Sequence, residues 1–185
     1  MNPAPGQRTL LFISDSKLIN FSYALRSHDI VSKRFPGKSI DEISKMAPTI
    51  IEREKPKRVI LHVGSLDVSS DKPPKLIAKD ILGLTSRMQS ATGYVFWISG
   101  LLPRDGLKNN KVVVINKYLK HYCEDNGLRF VDHSSIDPSI HFKVDRHLNS
   151  EGIQEFAANI EQVFNDKHCD ERKKRIVDIY GKGDH

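Results

Sequence analysis

Three residues have the types and positions that acyl-transfer chemistry needs. They are Ser16, in the segment LLFISDSKL, and the pair Asp145 and His147, in VDRHLNSEG. A serine hydroxyl is a weak nucleophile until an imidazole takes its proton, and a carboxylate can orient that imidazole. A serine at a strand-to-helix turn also lies beside backbone N–H groups able to stabilise an oxyanion. Taken singly, each residue has a simpler role. Ser16 can cap the helix that follows it. Asp145 and His147 can be a charged pair on an exposed loop. Gly37 and Gly64 can be turn glycines with positive φ, and Asp67 can cap a turn. Joint placement at one edge of one sheet is what favours chemistry, so the elements that carry these residues matter.

The apolar runs are short, rich in β-branched residues and separated by helix-length segments. TLLFIS (9–14) reads as a buried strand, and 17–27 has helical spacing. A weaker second strand lies within 28–37 and stops at Pro36-Gly37. Ser39 and Glu42 form a capping-box pattern that opens a helix over 40–54. RVILHV (58–63) is a third strand with Gly64 straight after it, and 73–89 is a helix whose first turn tolerates proline. GYVFWIS (93–99) is a fourth strand, followed by a loop over 100–110. The segment 111–127 is ambiguous: its valine run favours a strand, while Ile115, Leu119, Tyr122 and Cys123 keep helical spacing and Gly127 makes a helix stop. LRFVDH (128–133) is the fifth strand, and 149–165 is the last helix. Such alternation implies an α/β fold, a three-layer α/β/α sandwich on a five-stranded parallel sheet. Ligands in these sheets bind at the carboxyl ends of the strands. The chain divides into a short polar end (1–7) expected to be disordered, one domain (8–166) and a basic, flexible tail (167–185).

The composition fits one soluble domain. The 185 residues are 38% hydrophobic and 28% charged, with net charge +6. Sequence pI is about 9.3 and mean hydropathy −0.43. No apolar run approaches the roughly 20 residues of a membrane span, and the first residues lack the apolar core of a signal peptide. Cys123 and Cys169 form neither a disulfide framework nor a metal-ligand spacing. These features point to an intracellular, cytoplasmic setting, and the abrupt polar ends suggest one domain of a longer chain.

Four short motifs in order resemble the blocks of the SGNH (GDSL-type) hydrolases, over about residues 8–165. Ser14-Asp15-Ser16 is similar to the family's Gly-Asp-Ser, which implies Ser16 as nucleophile. Gly37, in FPGKSI, matches the glycine whose N–H serves the oxyanion hole. Gly64-Ser65-Leu66-Asp67 corresponds to Gly-x-Asn-Asp, and Asp145-Arg146-His147 to Asp-x-x-His. The resemblance implies a flavodoxin-like sheet and a site built from Ser16, His147 and Asp145, with the backbone N–H groups of Ser16 and Gly37 as oxyanion donors and no cofactor or metal. The text around the blocks is especially similar to esterase-like domains of vertebrate LINE retrotransposons. It also resembles, more loosely, the SGNH-like domain of insect germ-plasm proteins of the Oskar type.

Three departures stand out. Leu66 replaces the oxyanion asparagine, and losing one such donor typically costs about 10²–10³ in rate. Ser14 replaces the first-block glycine. The last block is one residue short, so Asp145 must reach His147 by a different backbone path. Two functions follow as expectations. The first is an esterase of weak activity on small acyl (acetyl-like) esters, with His147 as base and then acid. The second is a catalytically inactive module that binds RNA, within ribonucleoprotein particles, through phosphate-positioning charges at Lys33, Arg34, Lys55, Lys57, Arg58, Arg172, Lys173, Lys174 and Arg175. No aromatic platform for base stacking accompanies those charges.

Overall fold

The computed structural model describes residues 10–16, 18, 21–25, 29–104 and 106–165. Five strands, β1 (Leu10–Ser14), β2 (Ile30–Arg34), β3 (Arg58–His62), β4 (Phe96–Ser99) and β5 (Arg129–Val131), form one parallel sheet in the order β2-β1-β3-β4-β5. Seven helices connect or flank them: α1 (Phe21–Ala24), α2 (Ile40–Glu54), α3 (Ser65–Val68), α4 (Pro74–Thr92), α5 (Leu107–Asn126), α6 (Pro138–His141) and α7 (Ser150–Asn165).

Side chains alternate across each strand, which divides the core in two. Leu11, Ile13, Val59, Leu61, Phe96 and Ile98 pack against the buried faces of α2, α4 and α5. Leu10, Phe12, Ile60, Trp97 and Val131 pack on the other side, with Phe21 of α1 and Phe156 and Ile160 of α7. This is the expected three-layer architecture. Among the described residues no helix is long and apolar enough to cross a membrane.

Local signals explain most element boundaries. Ser39 Oγ accepts the Glu42 N–H while Glu42 accepts the Ser39 N–H, the reciprocal pair that opens α2. The ambiguous segment resolves as α5, because Val112, Ile115, Leu119 and Cys123 bury one helical stripe and Gly127 closes the helix at φ 63°. Exposed Val113 and Val114 show that the valine run is not all core; the buried stripe outweighs β-propensity. α5 also begins at Leu107, so the loop expected over 100–110 is shorter at its carboxyl end.

Register places the site. Ser14 aligns with Arg34 on one side and His62 on the other. The turns after β1, β2 and β3 therefore leave the sheet at one edge. At that edge, on the α7 face, a buried polar chain runs from His62 Nδ1 to Ser99 Oγ (2.9 Å) and from Ser99 Oγ to His133 Nε2 (2.7 Å). It ends where the Asn159 side-chain amide meets His133 Nδ1 at 3.3 Å. Burial pushes His62 down to about 4 and His133 well below the ordinary histidine range. Both rings are neutral near pH 7.

Candidate active site

Asp15 turns inward from the end of β1. Its Oδ2 accepts the N–H groups of Gly64 (2.8 Å) and Ser65 (2.6 Å). Burial raises the Asp15 pKa, and those hydrogen bonds oppose the rise. Gly64 is required at this junction: φ is 112°, and a Cβ there would stand 3.1 Å from Ile81 Cδ1. Asp67 reaches from α3 to the start of α2, where its Oδ2 accepts the Ile40 N–H at 3.3 Å. Three turns at the sheet edge are thus tied together by two carboxylates.

Ser16 follows Asp15 and is engaged by Ser14. Ser14 Oγ accepts the Ser16 N–H at 3.0 Å and lies 2.8 Å from Ser16 Oγ. The position where the resembling family has no side chain is thus filled by a hydroxyl that occupies both polar groups of Ser16.

His147 arrives on a hairpin. Phe142 pairs with Leu148 in an antiparallel bridge, Lys143 N–H donates to His147 O (2.7 Å), and Arg146 N–H donates to Lys143 O (2.9 Å). Arg146 takes a left-handed conformation, φ 65°, the arrangement of a turn closed by an αL residue. This is the different backbone path. It brings Asp145 Oδ2 to 3.1 Å from His147 Nδ1, while Asp145 Oδ1 accepts the His147 N–H at 3.1 Å. Those bonds hold the Asp145 carboxyl below the usual carboxylate range, the backbone one contributing most.

The hairpin is fastened at its base by Asn149. Its N–H donates to His141 O (2.9 Å), its Nδ2 to Ile140 O (2.6 Å), and its Oδ1 accepts the Gly152 N–H (2.9 Å) in the first turn of α7. Gly152 lies so close to the His141 carbonyl that any Cβ would collide with it.

Ser16, Asp145 and His147 all line one cavity of about 780 Å³, with Leu18, Val68, Leu101, Phe142 and Ile153 among its apolar walls. Gly37, an expected oxyanion donor, and Leu66, at the position of the family's oxyanion asparagine, are elsewhere. Gly37 (φ 77°) lies exposed in the turn after β2, and Leu66 is 44% exposed in α3; neither lines the cavity. Ser65 does.

The described basic residues expected at a nucleic-acid surface lie on β2 and at or just before the start of β3. Lys33 pairs with Glu54 at 3.1 Å. Arg34 ends β2, at the site edge, whereas Lys55 and Lys57 precede β3 and Arg58 begins it, at the opposite edge, about 13 Å away along five-residue strands. Arg172, Lys173, Lys174 and Arg175 lie outside the described residues, as do both terminal segments expected to be flexible. Among the described residues no group of three His, Cys, Asp or Glu side chains is placed to hold a metal.

Sequence reasoning passed over Asp15, Arg104, Lys108, Lys143 and the left-handed Arg146. Asp15, Lys143 and Arg146 stand inside or beside the motifs. The spacing alone does not show where their side chains go; the hairpin and the Asp15 anchor do.

No protein-family model matches the chain, and no curated protein sequence matches it. Solved structures do. A GDSL-like lipase from Bacteroides thetaiotaomicron superposes with TM-score 0.74 at 13% identity, covering 89% of this chain and 91% of its own. A member of the lipolytic G-D-S-L family from Veillonella parvula gives 0.70 at 14% identity, covering 86% and 98%. The psychrotrophic esterase EstA from Pseudoalteromonas gives 0.65 at 17% identity, covering 86% and 100%. At these identities the likeness concerns architecture, and in architecture this chain has the fold of the GDSL-type (SGNH) lipases and esterases.

Proposed function

We propose that the protein is a serine esterase of low turnover, acting on small acyl esters. Ser16 Oγ attacks the acyl carbon while His147 Nε2 takes its proton. His147 then gives that proton to the leaving alkoxide as the ester C–O bond breaks. Water, deprotonated in turn by His147, attacks the acyl-serine, releasing the acid and restoring Ser16. Asp145 holds the Nδ1 side of the ring, which leaves Nε2 for the proton transfers.

The observation that carries this reading is the two-point grip of Asp145 on His147, within a cavity that Ser16 also lines. A surface ion pair gains little from such alignment, whereas a general base depends on it. Low turnover follows from the oxyanion side. Leu66 offers no donor, and the Ser16 N–H is engaged by Ser14; each lost donor costs about 10²–10³ in rate.

The test is hydrolysis of p-nitrophenyl acetate by the native protein beside Ser16→Ala and His147→Ala, with folding of both variants checked by circular dichroism. Turnover above background that each substitution lowers by at least about 10²-fold is expected. Equal rates in all three proteins would retire the reading.

A further inference from the structure

Four of the residues lining the cavity carry fixed positive charge: Arg104, Lys108, Lys143 and Arg146. Among the described lining residues the one carboxylate is Asp145, which is hydrogen-bonded to His147 and also feels the charge of Lys143. Lys143 and Arg146 belong to the hairpin that carries His147, and both line the cavity. Arg104 belongs to the opposite wall, where its Nη2 donates to Ser65 O at 2.9 Å and its backbone N–H donates to Asn109 Oδ1 at 3.0 Å. It is therefore a placed group rather than a loose surface arginine. Among the described residues no carboxylate lies within ion-pair distance of Lys108, and Lys143 is coupled to Asp145 only through its charge.

A neutral ester can use the apolar walls but gains nothing from these charges. Like charges gathered round a concave, partly apolar wall repel one another, and a bound anion relieves that repulsion. The Arg104 guanidinium registers it: burial lowers its pKa, the Asp15 carboxylate opposes that, and the charge of Arg146 lowers it further.

We infer that the cavity selects esters bearing a fixed negative charge, such as a phosphate or sulfonate on the portion away from the scissile bond, through Arg104, Lys108 and Lys143. The inference rests on the esterase reading of the same site and names its substrate class. Ester hydrolysis proceeds by the same steps, and the anion itself takes no part in bond making or breaking.

Binding and turnover are measured separately. The Ser16→Ala protein is titrated with 4-acetoxybenzenesulfonate, with 4-acetoxyphenyl phosphate and with the near-isosteric neutral 4-acetoxybenzenesulfonamide. At low salt the anions are expected to bind about tenfold more tightly than the sulfonamide, and the preference is expected to shrink as salt rises. A larger gain for the phosphate identifies a dianion as the better fit. Lys108→Gln/Lys143→Gln is expected to remove most of the preference, and Lys79→Gln, remote from the cavity, to leave it intact. Arg104→Gln is a second variant, read only if it folds. Equal affinity for charged and neutral ligands, or a preference untouched by salt and by the double substitution, overturns the inference. Failure of the esterase reading shows differently, as absence of Ser16-dependent turnover on every ester.

Discussion

Ser14 restrains the residue it sits beside. Its hydroxyl accepts the Ser16 N–H and stands within hydrogen-bond distance of Ser16 Oγ. A nucleophile held in this way must break one hydrogen bond to reach a carbonyl, and an oxyanion must displace the other. Ser14→Gly is expected to free both groups and to raise kcat on p-nitrophenyl acetate by about 10- to 100-fold. Stability should fall by only about 0.5–1 kcal/mol, the entropic cost of glycine in a strand. Parallel rate and urea-unfolding measurements check this, and an unchanged kcat would acquit Ser14. The substitution is visible in the sequence, but the direction of its hydroxyl is not. Rotamers depend on neighbours brought in by folding, here the buried end of β1. The same limit hid Asp15, whose partners Gly64 and Ser65 are some fifty positions away in the chain.

The hairpin over 142–148 is the element on which the proposed activity turns, and besides the Asn149 hydrogen bonds a close packing point helps to position it. Gly152, in the first turn of α7, abuts the backbone carbonyl of His141 at the end of α6. Gly152→Ala must push α6 and α7 apart, because backbone cannot swing aside as a flexible side chain does. A loss of about 1–3 kcal/mol in unfolding free energy is expected. A fall in turnover that persists at temperatures where the variant is fully folded is also expected, since the base moves with the segment. Turnover per folded molecule equal to that of the native protein would separate the packing point from the site. At this scale the sequence was informative where a rule has a fixed spacing or a long reach. The capping box of α2 is a local rule with a fixed spacing. The alternation of strands and helices that implies a parallel sheet is a pattern spread over the whole domain, whereas the stripe of α5 competed with a valine run. The four-residue helices α3 and α6 carry too little pattern to read. The left-handed turn at Arg146 breaks the rule that such positions favour glycine, so the spacing of Asp145 and His147 gave no sign of how they meet.

Across the molecule, the buried chain from His62 through Ser99 to His133 and Asn159 links β3, β4 and β5 to α7 beneath the site. With His62 held to about 4 when folded and near 6.5 when unfolded, the unfolded chain binds more protons between those pH values. Stability therefore falls as pH is lowered through that window, by up to about 1.4 kcal/mol per pH unit for each such histidine. Above pH 7 the contribution is flat. Urea-unfolding free energies at pH 7, 6 and 5 are expected to decline accordingly, with a shallower slope in His62→Gln. An identical slope in that variant would place the acid sensitivity in other groups. None of this chain is legible as a motif, because its members are 34 and 37 positions apart along the sequence and meet only through the sheet.

Ser16 follows the first strand and His147 follows the last, so the two ends of the proposed reaction are separated by almost the whole domain. During synthesis the nucleophile emerges early and its base only after every strand has been made. A ribosome-bound or prematurely ended chain thus carries an inert serine. On the proposed reaction, hydrolysis is reserved for molecules that have closed the sheet and docked α7, and its turnover doubles as a readout of complete folding.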